Sequence, residues 1–204
     1  MNTDARPWPP GAWRTLLAEA VTDLDELLEA LHLDASRLGD RAAVEQSVRS
    51  FGLRVPRGYL GRMRRGDPKD PLLGQVLPVD REMEAVEGYS TDPVGELQHE
   101  PAGGVLHKYR GRALIVASGA CAVHCRYCFR RHFDYEGHKA AADRFDEAVD
   151  AIEADPSSTE VILSGGDPLM LPDIRLEVLA RRLADLPAVE RLRALSPAYE
   201  ARGG

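Results

Sequence analysis

Long hydrophobic runs are absent from this sequence of 204 residues. The longest aliphatic stretch, residues 113–117, is far shorter than the roughly 20 apolar residues that a membrane-spanning helix needs. Basic charge is in deficit, because 33 acidic residues face 26 basic ones, and the net charge of −7 argues against general nucleic-acid binding. The start, MNTDARPWPP, carries no hydrophobic stretch. We therefore expect no signal peptide and a cytoplasmic protein without membrane contacts.

Cysteine is rare, and the few cysteines are clustered. Cys121, Cys125 and Cys128 are the only three in the sequence. An odd, clustered set does not suit a disulfide framework and indicates a metal or redox site in a reducing compartment. The apolar fraction of 44% and the charged fraction of 29% are otherwise typical of a globular protein.

The cysteine spacing, C-x3-C-x2-C, suits an iron–sulfur cluster. Three thiolates on one loop can bind three irons of a [4Fe-4S] cluster and leave the fourth iron without a protein ligand. Such an iron can accept a chelating cofactor, and the amino and carboxylate groups of S-adenosylmethionine (SAM) fit that requirement. The alternative is a structural Cys3His zinc site with His124 or His132 as fourth ligand. Zinc sites usually combine two cysteine pairs, and this sequence has no second pair.

Residues 1–52 are predicted to form a helical subdomain for packing or dimerisation, so a homo-oligomer is one expectation. Asp40 is placed to cap a helix that carries Val44 and Val48 and stops at Gly52. Residues 53–104 are rich in Pro and Gly and are predicted to be irregular. Their basic run is interpreted as a solvated face or as a docking patch for an acidic partner. The helical pattern of the first segment consists of Trp13, Leu16, Leu17, Ala20, Val21, Leu24, Leu27, Leu28 and Leu31. The basic run of the second segment consists of Arg54, Arg57, Arg62, Arg64, Arg65 and Lys69.

From residue 105 onwards the pattern predicts an α/β fold. Strands are expected at 105–109, 113–117, 160–163 and 191–195, and helices at 139–154 and 173–186. This order implies parallel strands joined by right-handed crossovers. In such folds the functional loops lie at the carboxyl ends of the strands, and the cysteine loop and the later glycine turn both follow a strand.

The glycine turn is Ser164-Gly165-Gly166-Asp167-Pro168. Two glycines allow the backbone to approach a ligand closely. The alternative is an ordinary turn between a strand and a helix, in which Asp167 caps the helix.

Four longer stretches resemble the lysine 2,3-aminomutase family of the radical SAM superfamily. Within that family they are most similar to the branch that acts with the elongation factor P modification pathway. The stretches are RVPRGYLGRMRRGDPKDPLLGQVLP (54–78), STDPVGELQ (90–98), LHKYRGRALIVASGACAVHCRYCFRRHF (106–133) and LSGGDPLML (163–171).

The resemblance implies a fold and a set of roles. Residues 105–195 would form the first half of a partial (β/α)6 barrel, while the tail 196–204 does not match. Cys121, Cys125 and Cys128 would bind the cluster, and Arg130 would hold the carboxylate of the substrate lysine. The turn would bind the methionine end of SAM. Tyr127 and Phe129 are candidates to line the adenine of SAM, and the alternative is that these loop aromatics simply pack. The residues implied for SAM are Tyr127, Gly165, Gly166 and Asp167.

The resemblance also implies cofactors and partners that these residues do not supply. The family uses pyridoxal phosphate bound to a late lysine, whereas Lys69, Lys108 and Lys139 are the only lysines and none follows Asp167. We therefore expect the N-terminal portion of a longer enzyme, inactive as an aminomutase. Expected partners are lysine, a flavodoxin- or ferredoxin-like electron donor and elongation factor P pathway proteins. An aminomutase for another amino acid and a non-enzymatic zinc-binding or interaction module remain alternatives.

Overall fold

The computed structural model describes residues 12–96, 104–135 and 145–196. These residues fall into two compact units that do not follow chain order. The first unit contains 12–85 together with Ala122–Tyr127, and the second contains the described residues from 86 to Cys121 and from Cys128 onwards. Cys125 therefore belongs to the first unit, while Cys121 and Cys128 belong to the second.

The first unit is helical, as expected, but its N-terminal helix is interrupted. Helix α1 spans Ala12–Ala18 and helix α2 spans Leu24–Ala30. Between them Val21 is fully buried and pairs with Val55 through two backbone hydrogen bonds of 2.9 Å. Asp23 then caps α2 by accepting a hydrogen bond from the Glu26 amide at 2.9 Å. The apolar spacing continues through the break because Val21 is buried in an extended conformation.

The predicted cap at Asp40 is confirmed. Its side chain accepts a hydrogen bond from the Ala42 amide at 3.0 Å and starts helix α3, Arg41–Ser50. The following segment contains helix α4, Arg57–Leu60, and 3-10 turns at Leu73–Gln75 and Asp80–Met83. Its exposed Arg57 and Arg64 form ion pairs with Glu26 and Asp70, as arginines on a solvated face commonly do.

The second unit is built on a sheet with the strand order β1-β2-β3-β4. Strands β1, Val105–Tyr109, and β2, Arg112–Ser118, form an antiparallel hairpin with Gly111 at φ +80° in its turn. Strands β3, Glu160–Gly165, and β4, Arg191–Ala194, continue the sheet in parallel. The four predicted strands and the α/β fold class are confirmed.

Two helices cover this sheet. Helix α5 spans Phe145–Glu153 and helix α6 spans Asp173–Ala184, while residues 139–144 of the predicted first helix lie outside the described residues. Among the described residues, β4 lies at one edge of the sheet, and every one of its residues is exposed. The core lies between the helices and the sheet and includes Ile115, Phe145, Ala148, Val149, Ile152, Val161, Leu163, Leu179 and Leu183.

No helix among the described residues is both long and apolar enough to cross a membrane.

Truncation of the core should cost far more stability than truncation of the outer face of the same helix. Leu183 on α6 is 0% exposed, whereas Ile174 on that helix is 67% exposed. We expect Leu183→Ala to lower the free energy of unfolding by about 2–5 kcal/mol. Ile174→Ala should change it by less than about 0.5 kcal/mol. Urea denaturation measures both, and equal losses would contradict this assignment of the core.

Candidate functional site

The glycine turn lies against the backbone at the end of β2. Gly165 has a φ of +109°, and a β-carbon placed there would lie 2.4 Å from the Ser118 carbonyl oxygen. A β-carbon at Gly166 would lie 2.5 Å from the Ala120 carbonyl oxygen. The sequence suggested that these glycines allow close approach to a ligand. In the structure, the group they approach is the protein's own backbone just before Cys121.

Two hydrogen bonds hold the turn in that position. The Gly166 amide donates to the Ser118 carbonyl at 2.6 Å, and the Asp167 amide donates to the Ala120 carbonyl at 2.8 Å. Because strands β2 and β3 are parallel, their carboxyl ends meet at one edge of the sheet, as the sequence predicted. The turn and the start of the cysteine loop are therefore joined directly.

Asp167 has the capping role that the sequence offered as an alternative. Its side chain is fully buried and accepts a hydrogen bond from the Leu169 amide at 2.9 Å, at the start of the 3-10 turn Pro168–Met170. The same oxygen accepts a hydrogen bond from the Ser196 hydroxyl at 2.6 Å. The Asp167 carboxylate thus stabilises the turn, and its role in SAM binding stays a prediction.

Arg130 is buried beside the turn and is already bound to a carboxylate. Its Nε and Nη2 donate to the two oxygens of Glu96 at 2.7 and 2.5 Å. Its Nη1 donates to the Ser164 hydroxyl at 2.8 Å and to the Gly165 carbonyl at 3.3 Å. A substrate carboxylate could use the two donors that face Glu96 only after Glu96 had moved. The predicted contact of Arg130 with substrate therefore stays a prediction.

Tyr135 is a second contact to the turn. Its hydroxyl donates to the Gly165 carbonyl at 3.0 Å. Burial raises the pKa of Tyr135 far above its ordinary value, the charge of Arg130 opposes that shift, and Cys128 and Cys121 add to it. Tyr135 therefore keeps its proton and remains a hydrogen-bond donor at neutral pH.

The middle of the cysteine loop lies in the first unit. The Tyr127 side chain is 70% exposed, and its hydroxyl donates to Gln75 Oε1 at 3.3 Å. The His124 ring stacks on the Phe51 ring with 5.1 Å between the ring centres, and His124 Nδ1 lies 2.7 Å from the Gly52 carbonyl oxygen. Tyr127 is thus placed on a surface, and its contact with adenine remains a prediction.

The donor set fits an iron–sulfur cluster by its chemistry. Each of the three cysteines is partly exposed, and none of them forms a disulfide. Thiolates are the usual ligands of such clusters, and each cysteine binds a different iron. Among the described residues, no three His, Cys, Asp or Glu side chains are gathered closely enough to hold a single metal ion.

Sequence reasoning did not identify the side chains that hold the two arginines of the loop. Glu96 binds Arg130, and Glu82 binds Arg126, which lies between the second and third cysteines. Both carboxylates come from irregular segments, where no periodicity marks a buried position. A usable signal was available for Glu96, because it stands in the stretch STDPVGELQ that resembles the family.

Comparison with known proteins decides the family. A model described as the Radical SAM superfamily matches residues 115–201, which include the cysteine loop from Cys121 and the glycine turn. A protein named L-lysine 2,3-aminomutase from Escherichia coli strain K12 is 46% identical over 195 residues. Residues 115–201 of this chain belong to the radical SAM superfamily. The expected family is confirmed, and the superfamily implies a [4Fe-4S] cluster and SAM as cofactors.

The alignments cover most of this radical SAM chain but only part of each relative. The match to the Escherichia coli protein covers 95% of the chain and 54% of the relative. The Haemophilus influenzae protein of the same name is 42% identical over 89% of the chain and 53% of its own length. The Clostridium subterminale protein of that name is 30% identical, over 89% of the chain and 43% of its own length. The chain therefore spans about half the length of the curated relatives it matches.

A side chain at Gly166 should disrupt the join between the turn and the cysteine loop. In Gly166→Ala the new β-carbon would lie 2.5 Å from the Ala120 carbonyl oxygen, so the backbone must shift. We expect the free energy of unfolding to fall by about 1–3 kcal/mol. Gly58→Ala is the matched control, because a β-carbon there meets no atom within 4 Å. Equal stability of the two variants in urea denaturation would contradict the close approach.

Proposed function

We propose that this chain provides the cluster- and SAM-binding part of an aminomutase that converts L-lysine to β-lysine. The observation that carries the proposal is the pair of hydrogen bonds from Gly166 and Asp167 to Ser118 and Ala120. These bonds attach the turn proposed to bind SAM to the residues that lead into Cys121. The name L-lysine 2,3-aminomutase of the relatives supports lysine as the substrate.

The cluster, when bound and reduced, would supply the electron that cleaves SAM and starts radical chemistry. The protein's own residues have simpler tasks. Cys121, Cys125 and Cys128 would hold three irons, and the turn would fix the methionine end of SAM. Tyr127 would line the adenine.

Arg130 is the proposed binding residue for the substrate carboxylate. Its guanidinium presents Nε and Nη2 side by side, the geometry that grips a carboxylate through two parallel hydrogen bonds. Glu96 occupies those donors in this structure at 2.7 and 2.5 Å. Its bidentate contact shows that a carboxylate fits these donors, and a substrate would have to displace it.

We further propose that β-lysine made by the whole protein serves modification of elongation factor P. The support is the similarity of the four sequence stretches to that branch of the family. A flavodoxin- or ferredoxin-like protein would supply the electron. The proposed compartment is the cytoplasm, because clustered thiols that are not paired in disulfides persist in reducing surroundings.

The described residues do not fit pyridoxal phosphate. Lys69 and Lys108 are exposed, and the Lys108 amino group donates to the Val94 carbonyl on the surface of the second unit. Lys139 lies outside the described residues. The described lysines therefore provide no buried amine to hold this cofactor.

Iron binding is the first test of the proposal. After anaerobic reconstitution with iron and sulfide, the chain should hold about four irons and acid-labile sulfide, and it should cleave SAM to 5′-deoxyadenosine and methionine when reduced. Cys125→Ala should abolish that cleavage, because the cluster would lose one of its three protein ligands. Metal analysis and chromatography of the cleavage products measure both effects.

His132→Ala is the control for this test. His132 is exposed and is one of the two candidate fourth ligands of a Cys3His zinc site. The cluster proposal expects the iron content of this variant to match that of the unmodified chain. One zinc per chain without sulfide, or normal SAM cleavage by Cys125→Ala, would contradict the proposal.

The 204 residues by themselves should make no β-lysine. The family's reaction needs a lysine-bound pyridoxal cofactor, and the sequence has no lysine after Asp167. Reconstitution of this chain with both cofactors, reductant and lysine should give 5′-deoxyadenosine without β-lysine. A chimera that joins residues 1–195 to the remaining part of the Escherichia coli relative is the positive control and should form β-lysine. Formation of β-lysine by the 204 residues alone would overturn this expectation.

A further inference from the structure

The helical N-terminal unit, for which the sequence suggested packing or dimerisation, also contains part of the cysteine loop. Residues Ala122–Tyr127, which include Cys125, belong to the same compact unit as residues 12–85. One side chain of this piece of the cysteine loop, Arg126, makes several of the contacts that hold it.

Arg126 is buried, and all three nitrogens of its guanidinium donate hydrogen bonds. Nε and Nη2 donate to the Glu82 carboxylate at 3.0 and 2.5 Å. Nη1 donates to the Phe51 carbonyl at 2.6 Å, and Nη2 also donates to the Ser47 hydroxyl at 2.7 Å. The guanidinium carbon lies 5.2 Å from the centre of the Phe51 ring. Ser47 lies in the last turn of helix α3, Phe51 follows that helix, and Glu82 lies in the 3-10 turn Asp80–Met83.

Glu82 supplies the carboxylate of the ion pair with Arg126, and it is itself held in place. Its side chain is 11% exposed, and that of Arg126 is 5% exposed. Glu82 Oε2 accepts a hydrogen bond from the Ser47 hydroxyl at 2.7 Å, and Oε1 accepts one from the Val79 amide at 3.1 Å. The second contact joins the carboxylate to the backbone amide of the residue just before the 3-10 turn Asp80–Met83, so the carboxylate cannot rotate freely.

The backbone of the same piece of loop is attached on both sides of Cys125. The His124 amide donates to the Arg54 carbonyl at 3.1 Å, and the Arg126 amide donates to the Gln75 carbonyl at 2.7 Å. Two amides that flank one cysteine are thus bonded to the helical unit. Removal of the charge on Glu82 would leave Arg126 buried without its counterion, a strongly unfavourable state.

We infer that Glu82 is a positioning residue, which acts through Arg126 to fix the segment that carries Cys125. The significance of Cys125 as an iron ligand rests on the proposed function, but the anchoring itself is a property of the chain without cofactors. The helical unit would then hold Cys125, the one cysteine that it contains, in position.

Amide hydrogen exchange tests the anchoring directly. In Glu82→Gln, a near-isosteric change, we expect the His124 and Arg126 amides of the 204-residue chain to exchange about tenfold faster or more. The Asp167 amide, bonded to Ala120 in the other unit, should change by less than about twofold. Asp25→Asn is the matched control, because it removes a carboxylate from an exposed ion pair with Arg41 in the same unit. This control should leave all three amides unchanged.

A second variant covers the case in which Glu82→Gln unfolds the chain. Arg126→Lys keeps the charge but cannot make the same set of hydrogen bonds, so it should also accelerate exchange at His124 selectively. Unchanged exchange at His124 in the folded variant, or an equal rise at His124 and Asp167, would overturn the inference.

Metal analysis separates the inference from the proposed function. If the unmodified chain binds no iron, the proposed function fails, whereas the exchange result still decides the anchoring. If the unmodified chain binds iron and the inference is correct, Glu82→Gln should lose its cluster in air faster than Asp25→Asn does. Equal loss rates would count against a role of the anchoring in holding the cluster.

Discussion

The backbone contact between the glycine turn and the end of β2 is the constraint on which the described site depends. Parallel pairing of β2 and β3 brings Ser118 opposite Gly165, with a shift in register just before that point. Neither glycine position has room for a β-carbon, because a β-carbon at Gly165 or Gly166 would lie 2.4 or 2.5 Å from a backbone carbonyl oxygen. The carbonyl of Gly165 is then turned towards Arg130 and Tyr135, and both side chains bond to it. One tight turn thus organises the contacts of Arg130 and Tyr135 within the second unit.

Each unit also contains one buried ion pair to an arginine of the cysteine loop. Arg126–Glu82 and Arg130–Glu96 are both nearly excluded from water, and in each pair one carboxylate from an irregular segment meets an arginine of the cysteine loop. Burial of such pairs is a poor source of stability, because desolvation of the two charges offsets most of their attraction. Their clearer effect is on conformation, since an arginine with several directed hydrogen bonds has few alternative positions.

Local features of this fold could be predicted from the sequence, and contacts between distant residues could not. The strands of the second unit and the Asp40 cap follow from alternation and from side chains next to them in the chain. The pairing of Val21 with Val55 has no local signal, and a helical pattern concealed it. The choice of Glu82 and Glu96 among 33 acidic residues depends on where the chain folds back, which periodicity does not encode. Residue spacing identified the cysteines and the turn, but it did not identify the groups that hold them.

Burial and directed hydrogen bonding also explain why the two buried basic residues of the cysteine loop, Arg126 and Arg130, are arginines. All but three of the 26 basic residues are arginines, and Arg126 and Arg130 stand two positions before and after Cys128. Burial lowers the pKa of a lysine and favours its neutral form, whereas a guanidinium keeps its charge. Arginine at these positions therefore keeps its charge when buried and has enough directed donors to be held by the protein, whereas a buried lysine would supply neither as well.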